Sequence, residues 1–201
     1  MVFVIVLLLC FMIIIYVWYS SYNEVFYVVS DIDGNKYAIR RGKQKSQEYL
    51  KNSANTLAEI NKRIHMLIRC LVNKYEGTDH YFFVKRLKDT YTHNILSEAA
   101  YDPRYTTYTV DKQHMHICLR TRDPQEQTYD INLLMYVILH ELAHFCNYTP
   151  DGVAIQGHGP EFMNIFRIFV QEAVKCGIYK YENYRQTPKE YCGMYISSSV
   201  L

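Results

Sequence analysis

His140, Glu141 and His144 stand in the sequence His140-Glu141-Leu142-Ala143-His144, an H-E-x-x-H pattern that follows the apolar run Leu133 to Leu139. With about 3.6 residues per helical turn, positions 140 and 144 project from one face, one turn apart. Two imidazoles so placed reach a single tetrahedral Zn2+ ion, and the carboxylate of Glu141 lies beside the first of them. That carboxylate is placed to take a proton from a water made acidic by the metal, the step a metal-assisted hydrolysis requires. The bland alternative is a buried helix whose histidines bond to neighbours. Burying such polar side chains on an otherwise apolar helix is costly unless each finds a partner.

A catalytic zinc keeps three protein ligands and one open position. His158 is the leading candidate for the third, since Gly157 and Gly159 let a loop bring it close without Cβ crowding. Glu161 is the alternative ligand, although at the first turn of a helix it also serves as a dipole-matched carboxylate with no metal role. Cys146 reads as a small buried hydrophobe. His114 and His116 fall on the same side of a strand, but two-residue spacing is an unspecific metal signal.

The elements that must position these residues are readable from periodicity and breakers. Val25 to Val29 and Lys36 to Arg40 read as strands around a turn at Asp33-Gly34-Asn35. From Gln44 to Tyr75 the apolar residues Leu50, Leu57, Ile60, Ile64, Leu67 and Leu71 keep helical spacing, and Gly77 ends the helix. Lys85-Arg86-Leu87-Lys88 reads as a solvated face, and Asp102-Pro103 as a turn. Tyr105 to Val110 and His114 to Leu119 read as strands joined at Asp111-Lys112-Gln113. Asp130 or Asn132 caps the metal helix, which runs to about Cys146. Pro160 opens a second helix with an apolar stripe from Phe162 to Val174, and Gly177 stops it.

These motifs resemble those of the SprT-like and WLM zinc metallopeptidases, the Spartan type included. The likeness lies in His140-Glu141-Leu142-Ala143-His144 followed by Gly157-His158-Gly159-Pro160-Glu161-Phe162, and covers roughly residues 100 to 195. Ile117-Cys118-Leu119-Arg120 and, more loosely, Tyr191-Cys192-Gly193 are similar to the WLM pattern. The resemblance implies an α+β zincin-like metallopeptidase domain, with a small antiparallel sheet packed on helices. It also implies His140, His144 and His158 on zinc, Glu141 as general base, and a strand at His114–Leu119 that holds an extended protein substrate. The chain is also similar to uncharacterised members from large DNA viruses. Relatives that cut DNA–protein crosslinks make nucleic acid a further implied partner. A net charge of only +2 and the absence of a basic stripe argue against that role.

Met1 to Tyr19 carries no charged side chain. At 1.5 Å per residue it makes about 28 Å of helix, against a hydrocarbon core of about 30 Å. The pattern predicts a transmembrane anchor over 1–21 and a catalytic domain over 22–201. Lys36, Arg40 and Arg41 bias the body toward the cytosol. The six cysteines form no C-x-x-C pair, and reduced thiols fit at least as well as disulfides. Asn147-Tyr148-Thr149 is a formal glycosylation acceptor, read as accidental because it abuts the metal helix. The expected function is a membrane-anchored zinc endopeptidase. The rivals are a non-enzymatic membrane protein with a structural zinc closed by Cys146 or Glu161, and a DNA-associated protease.

Overall fold

Hydrophobic spacing and turn chemistry set the order of elements. The computed structural model describes residues 2–22, 25–42, 46–101 and 106–201, so Gln44, Asp102-Pro103 and Tyr105 lie outside the described residues. Strands β1 (Val25–Val29) and β2 (Lys36–Arg40) pair in register Val25 to Arg40 through Val29 to Lys36. Their turn is closed by Gly34, at φ 70°, and by the Asn35 amide donating to Asp33 Oδ1 at 3.0 Å. Helix α2 (Gln47–Tyr75) begins where the Ser46 hydroxyl accepts from the Tyr49 amide at 3.2 Å. Its stripe Leu57, Ile60, Ile64, Leu67 and Leu71 is wholly buried. Helix α3 (Tyr81–Thr90) follows the break at Gly77.

Strands β3 (Leu96–Glu98), β4 (Tyr108–Val110) and β5 (His114–Ile117) complete a five-stranded sheet ordered β1-β2-β3-β5-β4. The expectation of an antiparallel sheet is corrected here. β3 runs parallel to both β2 and β5, so the sheet is mixed. The reason is topological: α2 and α3 provide the long crossover that a parallel pairing of β2 with β3 needs. Helices α4 (Ile131–Cys146) and α5 (Pro160–Lys175) pack beside the sheet, and a hairpin of β6 (Lys189–Tyr191) and β7 (Met194–Ile196) ends the fold.

Arg120, with no solvent exposure, ties the segment after β5 to β2 and β3. It donates to both oxygens of Glu98 and, through Nη2, to the Arg40 carbonyl at 2.8 Å. Two disulfides, Cys70–Cys176 and Cys118–Cys192, join elements 106 and 74 positions apart in sequence. The reduced-thiol reading is corrected for these four cysteines, while Cys10 and Cys146 stay free. Cys146 is a buried thiol, as expected, and burial pushes its pKa up. Asn147 is likewise fully buried, out of reach of a glycan.

Helix α1 (Val2–Tyr22) has side chains described at positions 4–18. Among the described residues, no helix is long and apolar enough to cross a membrane. The expected anchor over 1–21 and the single-pass placement with a cytosolic body are corrected on that finding.

Candidate metal centre

Asp130 starts the central helix, its Oδ1 accepting from the amides of Asn132 (2.8 Å) and Leu133 (3.3 Å). Leu134, Met135, Ile138, Leu139, Leu142 and Ala143 of α4 are fully buried, so the helix is held on nearly all sides. This fixes the direction in which His140 and His144 point. Their Nε2 atoms are 3.2 Å apart. His158 arrives from the 147–159 loop, its Nε2 lying 3.0 Å from that of His144 and 3.1 Å from that of His140.

Three ligand atoms around one tetrahedral ion, with Zn–N bonds of 2.0–2.1 Å, stand about 3.3 Å from one another. The triangle of imidazole nitrogens fits that spacing to within a few tenths of an ångström. Burial and the two neighbouring imidazoles push His140 down to about 3, and burial, His158 and Lys112 push His144 down to about 4. Both rings are thereby held neutral, the form that binds metals. Phe162, itself buried, packs its ring against all three, with centroids 4.9, 4.3 and 4.7 Å from His140, His144 and His158.

The loop that carries His158 is tied at its base. The Ile155 amide donates to the Asn147 carbonyl at 2.9 Å, and Gly157 turns the chain at φ 77°. The need for glycine at 157 is conformational rather than steric, because nothing lies within 4 Å of where its Cβ would stand. Lys112 supplies the second tie. Asp111 and Lys112 both have positive φ (50° and 52°), a turn that suits the twist of β4 and β5. From there the Lys112 ammonium donates to the carbonyls of His144 (2.8 Å), Asn147 (2.7 Å) and Ile155 (3.0 Å). One cation thus joins a histidine of the cluster, the end of its helix and the approach to His158.

Glu141 faces the same space. It is 7% exposed, and the Thr109 hydroxyl of β4 donates to its Oε2 at 2.7 Å. Burial raises its pKa to about 7, with the Thr109 bond pulling the other way. Histidines and glutamate open on a cavity of about 600 Å³. One wall is formed by Thr106 to Thr109 of the β4 segment, and another by Met194 to Ser198 after the β6–β7 turn.

Other sequence candidates fall elsewhere. Glu161 is exposed in the first turn of α5 and lies outside the three-histidine cluster, as does Cys146. Neither closes the site as a fourth ligand. His116 is occupied by the Ser97 hydroxyl at 2.8 Å and by stacking on Tyr108, and His114 is exposed beside it. The strand lining the cavity is β4, the edge of the sheet, rather than the interior strand β5. Thr109 and Lys112 were given no site role by the sequence, and of the C-terminal hairpin only Tyr191-Cys192-Gly193 was marked, by a loose resemblance. Threonine in a strand and lysine in a turn are ordinary, and only their long-range partners give them a role.

Fold and site together define an α+β protein built around a cluster of three histidines, two on an H-E-x-x-H helix and one on the loop after it. The chain belongs to the family of the uncharacterized protein R325 of Acanthamoeba polyphaga mimivirus, with which it is 34% identical over 183 residues, 89% of this chain and 86% of that protein. It is also similar to the uncharacterized protein 042R of Invertebrate iridescent virus 3, at 31% identity over 130 residues covering 64% of this chain and 75% of that protein. Protein 136R of Invertebrate iridescent virus 6, also uncharacterized, is 28% identical over 101 residues, 49% of this chain and 52% of its own. No protein-family model matches the chain, and no solved structure does. The SprT-like and WLM resemblance therefore rests on the motif residues.

Proposed function

We propose that this chain is a zinc-dependent endopeptidase, in line with its SprT-like and WLM motifs. The observation that carries the reading is the convergence of three Nε2 atoms within 3.0–3.2 Å beside a buried carboxylate in one open cavity. His140, His144 and His158 would hold the ion. Zinc supplies Lewis acidity, making a water molecule acidic and polarising a peptide carbonyl.

The chain's own residues do the remainder. Glu141 accepts the water proton and returns it to the leaving amine. Thr109 holds one of its carboxylate oxygens, which leaves the other for the water. The outer edge of β4, paired only with β5 among the described strands, offers backbone groups to an extended substrate. Lys112 keeps the His158 loop docked.

The test uses zinc-loaded protein and a denatured protein substrate. Wild type cuts it, whereas Glu141→Gln keeps one equivalent of zinc and loses cleavage by a hundredfold or more, on the order of the loss of a general base. A Glu141→Gln protein that cuts at the wild-type rate removes this mechanism.

A further inference from the structure

Met194 and Tyr195 are left 50% and 70% exposed, yet the hairpin that carries them is held firmly. Cys192 is bonded to Cys118 at the end of β5. The Tyr191 hydroxyl, fully buried, donates to the Cys118 carbonyl at 2.9 Å and bonds Thr107. The Cys192 amide donates to the Tyr129 hydroxyl at 2.7 Å, and Tyr136 of α4 donates to the Ser198 carbonyl at 3.0 Å. Large apolar side chains displayed on an anchored support are how proteins make contact surfaces.

Both residues line the cavity that contains Glu141. On this side the lining continues through Ile196, Tyr136, Val137 and Phe166, with Tyr136 and Phe166 rings 5.3 Å apart. The lysine, carboxylate and histidine side chains of the lining are Lys112, Glu141, His140, His144 and His158, none of them on the hairpin. Lys112 is already spent on three carbonyls. The part of the hairpin that lines the cavity offers an acidic or basic side chain no ion partner.

We infer that the C-terminal hairpin is the selecting wall of the cleft, and that it takes polypeptide segments with a large apolar side chain next to the cleaved bond. This rests on the endopeptidase reading above. β7 has β6 as its one strand neighbour among the described residues, so the cleft runs between two incompletely paired strands, β4 and β7. An extended peptide fits between them, its apolar side chain toward Met194, Tyr195 and Phe166. Burying such a side chain in place of a small or charged one separates substrates by a factor of ten or more.

The experiment profiles cleavage sites of zinc-loaded wild type in a proteome-derived peptide mixture. It then measures kcat/KM on peptide pairs differing only by Phe, Ser or Asp at the preferred position. Phe, Leu or Met is expected to be enriched at one position flanking the cut, with Phe favoured over Ser and Asp by about tenfold or more. In the Met194→Ser, Tyr195→Ser double variant that ratio falls toward unity while the zinc content is kept. Peptide binding to zinc-loaded Glu141→Gln, read by fluorescence anisotropy, should show the same ranking and the same loss. A flat profile, or a double variant with the wild-type ratio, overturns the inference and leaves the peptidase reading standing. A zinc-loaded wild type that cuts no peptide removes both.

Discussion

Three imidazoles must be neutral and aimed at one point before a metal can use them, and single neighbouring side chains meet both needs. Burial keeps His140 and His144 uncharged, and the Phe162 ring fills the space behind all three rings. Lys112 does the aiming at longer reach, since its three carbonyl partners bracket the segment from His144 to Ile155. Lys112→Met keeps the length of the side chain and removes the charge. Zinc affinity should drop about tenfold to a hundredfold, the usual cost of losing a group that orients ligands. Competition with a chelator reads this, and circular dichroism should show helix content retained. Unchanged zinc affinity would refute the positioning role. At this scale the pairing of His140 with His144 was legible because their four-residue spacing matches a helical turn. Lys112 was not, because its role exists only in contacts 32 to 43 positions away.

Among the elements, helix α4 declared itself by an apolar run, a cap at Asp130 or Asn132 and an end near Cys146. The β1–β2 hairpin and the buried stripe of α2 were readable for similar local reasons. Strand β3 was not, because Leu96-Ser97-Glu98 is too short to show alternation. It is fixed by what it pairs with and by its carboxylate. Glu98 stands between the guanidinium groups of Arg120 and Arg40 and accepts the Arg40 amide at 3.0 Å. Removing it leaves two buried guanidinium groups to share Glu126, 3.5 Å from Arg40 and 3.9 Å from Arg120, as their remaining carboxylate. Glu98→Ala should therefore cost about 3–5 kcal/mol of unfolding free energy, the cost of breaking a buried ion pair from one side. Urea denaturation of wild type and variant measures it. A loss below about 1 kcal/mol would mean that the guanidinium groups find water or other acceptors on removal of Glu98.

For the molecule as a whole, the mixed sheet and both disulfides were beyond the reach of local pattern. Parallel pairing of β2 with β3 depends on a crossover through α2 and α3, and the Cys70–Cys176 and Cys118–Cys192 bonds join residues that only the finished fold brings together. The apolar N-terminal run shows the opposite error, a composition that promised an anchor where no described helix is long and apolar enough to cross a membrane. The site, by contrast, draws on the whole chain's architecture: α4 gives two histidines and the glutamate, the loop to α5 the third histidine, β4 the threonine and the β6–β7 hairpin a wall. Its central claim is a single ion on three imidazoles with a coordination position left open. Zinc-edge X-ray absorption on stoichiometrically loaded protein addresses that directly. The account predicts three nitrogen neighbours at about 2.0–2.1 Å and a light oxygen neighbour, with one nitrogen lost in His158→Ala. Failure to retain zinc, a sulfur neighbour, or a shell unchanged by His158→Ala would contradict it.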